Sequence, residues 1–552
     1  MGKQGAFILR PGYIYGFKGV FMASYVLIIA CVILLCVLAE KFSDKFGMPA
    51  LILFMFIGML FGSDGIFKIP FDNFVLAENI CAIALLFIMF YGGFNTNWPV
   101  ARKVAGKSIV LSTAGVVVTA VITAFLCYFV LHISLIESFL IGAVLSSTDA
   151  ASVFAILRKK KLALIDGTDS VLEVESGSND PVSYMLTVIA LGFMSAGQSG
   201  NVAITVIQQV LFGVIIGVLL AKLVILVLIK TKLVSEGLDT IFIIAAVLGC
   251  FGINSLLGGN TYLSIYLFGI IAGNSKIQNK QNLIPFFDGV TSLAQISIFF
   301  LIGILSFPHL MPAIMPKALA IVIFLTIIAR PVAVFGLMLP FKCSARQCLL
   351  VSWAGLRGAS SVVFAITAVA QDISIKQDLY HIVFMVSLFS VSIQGTLLPA
   401  VARKLGMVDE KSDVRKTFND YQEETALQLM RMHIPAGHSW ENKKIRDVNM
   451  PTGSLAVMIK RGNETVITKG DTEIFGGDDI ILSVPPYEPS GQDQLEERSI
   501  SKTGPWCDKA IGELDIPEDM LIAMIVRDDE TVIPDGKTVL RENDTVVMYR
   551  QA

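Results

Sequence analysis

The sequence predicts an all-α polytopic membrane protein of about 13 transmembrane helices, built on inverted repeats with interrupted helices and followed by a small α+β tail. Three observations predict it. The 552 residues have a mean hydropathy of +0.70 and only 16% of them are charged, against roughly 25% in an average soluble protein. Apolar stretches long enough to cross a ~30 Å hydrocarbon core recur from residue 21 to residue 402. Beyond that point the chain turns polar and repeats itself. The charge divides at the same place: residues 1–403 hold 25 Lys and Arg against 17 Asp and Glu (net +8), and 404–552 hold 18 against 28 (net −10). No basic stripe with interleaved aromatics occurs in either part, which argues against a nucleic-acid partner.

Residues 1–20 are read as an N-terminal extension, with Met22 as an alternative start. The first apolar run, 21–39, is long enough to remain as a span and lacks a small-residue cleavage site, so it is not read as a signal peptide. Lys41 and Lys45 separate it from the second, 47–62. The third, 76–94, and the fourth, 108–131, are parted by Arg102, Lys103 and Lys107. The fifth, 135–157, stops at Arg158-Lys159-Lys160-Lys161, and the sixth is 170–195. The seventh, 203–229, ends on Lys230, and the eighth covers 238–257. The ninth, 261–274, is short, and Lys276 and Lys280 follow it. The tenth, 286–306, and eleventh, 312–340, lead to Lys342 and Arg346; the twelfth is 347–370 and the thirteenth 379–402.

Loops after odd-numbered spans hold fifteen Lys and Arg, whereas the alternate loops hold only Lys68, Lys317 and Lys376. Positive loops stay cytoplasmic, so the N-terminus is expected outside and the tail in the cytoplasm of a cell (plasma) membrane protein. Setting the seventh span aside leaves two six-span halves that enter the bilayer from opposite sides. Inverted repeats of this kind place a transport site near the midplane, where helices are interrupted. Spans five and twelve then correspond, as do six and thirteen. The eight cysteines show no C-x-x-C spacing, so neither a zinc site nor a disulfide framework is expected.

A charge at the bilayer centre costs at least ~2.5–3.5 kcal/mol, which makes it a functional candidate. Five charges lie deep in spans: Asp149, Glu175, Asp180, Arg330 and Arg357. Asp149 sits in Ser146-Ser147-Thr148-Asp149-Ala150-Ala151-Ser152, a run of small and polar residues that weakens a lipid-buried helix and frees hydroxyls and carbonyls. In the sixth span, Glu175-Ser176-Gly177-Ser178-Asn179-Asp180-Pro181 includes a proline that removes a backbone donor. Glu175 and Asp180 are about 140° apart around a helix, so different partners are expected. Arg330 is the expected ion-pair partner of Glu175. Arg357, in Trp353-Ala-Gly-Leu-Arg357-Gly-Ala-Ser-Ser361, mirrors Thr148-Asp149 in the second half and would compensate a negative helix end. Ion-pair glue is the plainer reading of both arginines.

These motifs resemble the cation:proton antiporters of the NhaP and sodium/proton-exchanger type. Phe287-Asp-Gly-Val-Thr-Ser-Leu-Ala-Gln295, the following Leu301-Ile-Gly-Ile-Leu-Ser-Phe-Pro308, and Gly269-Ile-Ile-Ala-Gly273-Asn274 are similar to the potassium/proton branch. The resemblance covers residues 20–403. It implies that Asp180 binds the ion with Asp149, Thr148 and Ser176, that Asn179 accompanies electroneutral exchange, and that Glu175 and Arg330 form a structural pair. No resident metal is implied beyond the transported K+ or Na+. Relatives often carry an acid in the third span where this chain has Tyr91 before Gly92-Gly93, a departure that bears on cation selectivity. Exchange needs one site: in a half-dry cavity a carboxylate loses hydration, and proton and cation compete for it.

The tail repeats with a shift of 66 residues, which aligns Trp440 with Trp506, Arg461 with Arg527, and Asp478 with Asp544. Each copy reads as helix, proline-containing turn, strand, hairpin and final strand. The expected boundaries are a linker at 404–425, a first subdomain at 426–486, a linker at 487–503 containing Pro489-Ser-Gly491, and a second subdomain at 504–552. The first copy resembles the TrkA-C (RCK-C) regulatory subdomain, and the other is similar to a diverged version of it. That likeness implies pairing into a homodimer and binding of a small ligand such as a nucleotide or cyclic di-AMP. No Gly-x-Gly-x-x-Gly occurs in the tail, so a Rossmann half is not expected. A ligand-gated cation channel is the alternative class; the absence of a Thr-Val-Gly-Tyr-Gly filter argues against it. An enzyme is not expected.

Overall fold

The computed structural model describes residues 11–551 except 47–48, 161, 196–201, 232–237, 276, 278–279, 372, 410–427, 449, 451–453, 462–463, 485–492, 501–505, 508, 515, 517–519, 528–529, 533 and 543. Residues 1–10, the bulk of the 404–425 linker, and residues 489–491 of the second linker thus lie outside the described residues. The chain divides into two compact units, 1–422 and 423–552.

The first unit is helical. α1 (Pro11–Phe46), α2 (Ala50–Phe61), α3 (Phe74–Asn95) and α4 (Ala105–Phe129) come first. The fifth expected span is two half-helices, α5 (Leu135–Leu145) and α6 (Ala150–Lys159). α7 (Thr168–Met194) runs on through Pro181. Next are α8 (Val202–Ile229), α9 (Asp239–Leu257), α10 (Thr261–Gly273), α11 (Lys280–Ile304) and α12 (Pro308–Phe341). The twelfth expected span is again divided, into α13 (Ala345–Trp353) and α14 (Ala359–Ala370), and α15 (Leu379–Lys404) ends the unit. Among the described residues eight helices are long and apolar enough to cross a membrane, and four apolar helices are shorter. Large apolar side chains such as Leu27, Leu34, Leu219 and Leu223 remain exposed on them, a surface suited to lipid rather than water.

Backbones approach closely where side chains are smallest. A Cβ on Gly269 or Gly273 of α10 would collide with the carbonyl of Phe90 or Phe94 in α3, the small-residue crossing by which membrane helices pack. The Gly269–Asn274 motif is therefore scaffolding: Asn274 also donates to the Thr96 carbonyl at 2.8 Å and accepts from the Trp98 N–H at 2.9 Å.

The two helix interruptions cross each other. The Asp149 N–H donates to the Leu356 carbonyl at 2.9 Å, and Arg357 Nη1 donates to the Ser147 carbonyl at 2.6 Å. Each break leaves backbone groups without helical partners, and the next helix supplies some of them. Ser176 of α7 donates to the Thr148 carbonyl at 2.6 Å, and Ser390 of α15 accepts from the Arg357 N–H at 3.0 Å. Gly358 is obligatory at the crossing, since a Cβ there would run into the Asp149 carboxylate.

A small antiparallel pair closes this unit. β1 (Ala163–Leu164), between α6 and α7, pairs with β2 (Val408–Asp409), four residues beyond α15, and the Ile165 N–H donates to the Met407 carbonyl at 3.0 Å.

The second unit holds two four-stranded antiparallel sheets. In the first, β3 (Gln428–His433), β4 (Leu455–Arg461), β5 (Glu464–Ile467) and β6 (Asp479–Val484) are ordered β3-β6-β4-β5. In the second, β7 (Asp493–Ser499), β8 (Met520–Arg527), β9 (Glu530–Val532) and β10 (Thr545–Gln551) are ordered β7-β10-β8-β9. The order is the same, and the 66-residue shift carries each strand onto its counterpart. Two expectations are corrected here. Among the described residues each copy begins with a strand in place of the expected helix, and β7 lies inside the stretch 487–503 read as a linker. Its sequence, Asp-Gln-Leu-Glu-Glu-Arg-Ser, is weak in intrinsic β propensity; pairing with β10 along its whole length makes it a strand.

Candidate functional site

α5 ends at Leu145, and the next four residues carry their polar groups inward. Ser146, Ser147 and Thr148 are buried, and Asp149 is half-buried. α7 crosses this break with Glu175, Ser176, Asn179 and Asp180 all buried. From the other side, the second break brings Arg357 and Ser360 to the same place. Three segments far apart in sequence thus converge because two of them cannot remain helical.

The two carboxylates of α7 have separate partners. Glu175 Oε2 accepts from Arg330 Nη2 at 2.9 Å, and both side chains are only 1% exposed. Asn179 Nδ2 joins that pair, donating to Glu175 Oε1 at 3.2 Å and to the Thr148 hydroxyl. Asp180 has no ion-pair partner among the described residues. It accepts from the Ser147 hydroxyl, which lies 2.7 Å from that of Ser360. Arg357, also 1% exposed, spends its donor on the Ser147 carbonyl at the C-terminal end of α5, where a cation offsets the negative helix end.

Asp149 is placed differently from Asp180. Its carboxylate accepts from the Ser152 N–H at 3.1 Å and from the Ser152 hydroxyl, capping α6. Ser147 and Ser360 are site residues that the linear motifs do not single out. Each lies in a run of small residues, but which hydroxyl meets Asp180 depends on how the two breaks cross.

A cavity of about 650 Å³ reaches Asp180, lined also by Thr148, Asp149, Ser176, Ser360 and Tyr91. Tyr91 is 7% exposed and stands at its wall. The arrangement offers one buried carboxylate, ringed by hydroxyls and reachable by an ion, beside a second carboxylate neutralised by an arginine.

The chain is similar to known proteins along most of its length. The transmembrane model of sodium/hydrogen exchangers matches residues 28–404, and the TrkA-C domain model matches residues 429–487 and 495–549. A K(+)/H(+) antiporter NhaP of Alkalimonas amylolytica is 29% identical over 467 residues, covering 83% of this chain and 80% of that protein. A K(+)/H(+) antiporter NhaP2 of Shewanella sp. (strain ANA-3) is 30% identical over 478 residues, covering 85% of this chain and 82% of that protein. The sodium proton antiporter MjNhaP1 from Methanocaldococcus jannaschii, solved at pH 8, superposes with a TM-score of 0.62 at 21% identity, over 70% of this chain and 99% of that one. That last likeness is one of fold.

Proposed function

The chain belongs to the sodium/hydrogen exchanger family and is a polytopic cation/proton antiporter, and from that premise we propose an electroneutral exchange of one K+ for one proton at a single carboxylate, Asp180. The observation that carries the proposal is the contrast within α7: Glu175 is matched by Arg330, while Asp180 has hydroxyls and, among the described residues, no cation. A buried carboxylate left without a fixed counter-charge is costly; binding either a proton or a monovalent cation relieves that cost, and the two exclude each other. If the helices move only when Asp180 is occupied, the two species alternate. Thr148, Ser176 and Asp149 are ligands of the cation in this reading, and Arg330 and Arg357 keep the surrounding charge fixed.

Asn179 donates toward Glu175 and carries no charge of its own. That supports one titrating group per cycle and no net movement of charge. Potassium is favoured over sodium because two relatives matched along most of their length are K(+)/H(+) antiporters. Thirteen spans, an outer N-terminus, a cytoplasmic tail and a plasma-membrane homodimer complete the proposal. The tail is read as a regulator that binds a nucleotide or a cyclic dinucleotide such as cyclic di-AMP. Support for coupling comes from the β1–β2 pair, which ties the start of the tail to the segment between α6 and α7. A ligand that alters the tail would then bias the helices that carry Asp149 and Asp180, provided its affinity differs between their states.

Everted membrane vesicles with a trapped pH dye test the central claim. K+ added outside should move protons at a rate unchanged when the membrane voltage is clamped. Voltage-dependent exchange would refute electroneutrality, and K+ flux without proton movement would favour a channel.

A further inference from the structure

The cavity that reaches Asp180 carries more polar groups than exchange at one carboxylate uses. Along α7, Glu173, Ser176, Gly177 and Asp180 line it, and their spacing of i, i+3, i+4 and i+7 puts them on one face. Along α11, Asp288, Thr291, Ser292 and Gln295 line it with the same spacing. Each stripe opens with an acid near the start of its helix. A bilayer helix such as α11 does not carry a continuous polar stripe without cost, and an acid in it marks an ion pathway.

Two oxygens at this cavity, Asn95 Oδ1 and Thr291 Oγ1, are buried and have no hydrogen-bond partner among the described residues. Their residues are 6% and 9% exposed, and Tyr266, which shares the wall and is 3% exposed, turns its hydroxyl toward those of Thr96 and Ser178. Buried oxygens without a partner are rare in a folded protein and call for an occupant. Their placement is consistent. A Cβ built on Gly177 would come within 2.7 Å of Tyr266 Oη, so that hydroxyl lies along the α7 stripe between Glu173 and Asp180. The Tyr266 carbonyl abuts Gly93 of α3, two residues before Asn95. Lys160 lines the cavity as well, and it is followed within a few residues by the β1–β2 pair at which the tail departs. α7 begins four residues after β1, so Glu173 stands nearer than Asp180 to the β1–β2 pair.

We propose that Asn95, Tyr266 and Thr291, with Glu173 and Asp288, form a second cation subsite ahead of Asp180, at which a monovalent cation exchanges part of its hydration shell for protein oxygens. The proposal rests on the exchange reading above and adds where the cation is selected. The oxygens accept hydrogen bonds or cations, and with two carboxylates beside them the site excludes anions. Uncharged oxygens are weak-field ligands. They compensate the loss of water from K+, which is held loosely, better than from Na+, which is held tightly, as carbonyl oxygens do in ion filters. Glu40 at the same cavity adds to the negative field, and Lys160 subtracts from it.

The test uses the full chain. Thermal unfolding of purified Asp180→Asn is followed against KCl, with ionic strength held constant by choline chloride. A saturable rise in melting temperature is expected in Asp180→Asn, lost in Asp180→Asn/Asp288→Asn and reduced in Asp180→Asn/Thr291→Val. No K+-dependent rise in Asp180→Asn, or an unchanged rise in both double variants, overturns the subsite. In vesicles with Asp180 intact, the isosteric Thr291→Val should raise the half-maximal K+ concentration about fivefold, as loss of one ligand oxygen would, and that for Na+ by less. An equal shift for both cations overturns its role in selection. Exchange persisting in Asp180→Asn would instead refute the single-carboxylate reading, and the melting experiment would still decide the subsite.

Discussion

The tail and the membrane unit bury their acids in opposite ways. In the tail, Asp478 and Asp544 are each 1% exposed and each is held by an arginine in a two-point fork. Arg461 contacts Asp478 at 2.8 and 2.8 Å, and Arg527 contacts Asp544 at 2.8 and 2.7 Å. Each arginine also reaches a backbone carbonyl, that of Glu473 or Val539, which are again 66 residues apart. In the membrane unit, Glu175 has such a partner in Arg330, and Asp180, five residues on, has none among the described residues. A matched acid fixes a structure, whereas an unmatched one must be neutralised by something mobile. In the proposed exchange, that difference makes Asp180 the working group.

The comparison breaks first at Asp180. Asp180→Asn should abolish K+-driven proton movement while leaving the yield and melting temperature of the protein near wild type, since its hydroxyl partners tolerate an amide. Exchange at the wild-type rate would remove the distinction between the two acids. Glu175→Ala and Arg330→Ala come next, and each should destabilise the membrane unit by about 3–5 kcal/mol by stranding a buried charge. The double variant Glu175→Leu/Arg330→Met should recover much of that loss in a thermal melt, because apolar replacement of a buried pair is often neutral.

Smaller effects belong to the tail. Arg461→Ala and Arg527→Ala should each cost the tail about 1.5–3 kcal/mol, the worth of hydrogen bonds to a charged group. Nearly equal losses are expected because the two forks have the same geometry, and unequal losses in limited proteolysis of the full chain would show that the copies have diverged in stability. The forks also set a pH dependence. The arginine beside each holds Asp478 and Asp544 below the ordinary carboxylate value of 3.8. The folded value is the lower one, so the contribution is complete above 3.8 and is lost as pH falls through the folded value. Proteolytic resistance of the tail should therefore fall in acid, below the ordinary carboxylate value, and it should fall less in Asp478→Asn.

The smallest expected change concerns where the tail is cut. Removing residues 410–552 keeps β2, so exchange should persist with an altered K+ and pH dependence. Removing 404–552 deletes β2 and frees β1, and the half-maximal K+ concentration should shift further. Identical profiles for the two truncations would show that the β1–β2 pair carries no signal.

Much of the molecule can be read along the chain because its causes are local. Crossing a bilayer needs uninterrupted apolar length, and that length is a property of consecutive residues. The small-residue run at Ser146–Ser152 and the Gly355/Gly358 stretch mark where helices stop, since a weak run cannot hold helical backbone there. Glu175 and Arg330 are legible as a pair because lipid leaves each few partners. The tail repeat is likewise visible as identities 66 residues apart. The partners of Asp180 are not local. Ser147 and Ser360 are 213 residues apart and meet through the crossing of two breaks, an angle that packing of whole helices sets. The cap that Asp149 makes on Ser152 and the bond from Asn179 to Glu175 are local by contrast, three and four residues apart on their own helices. β7 reads as a linker because its composition is polar, and the backbone bonds that make it a strand come from β10, about fifty residues later. The order of residues along the chain thus dictates which side chains must leave water and which charges must follow them. Which groups those charges meet is settled by the fold, because a buried charge takes its partner from whatever the packing brings within hydrogen-bond reach.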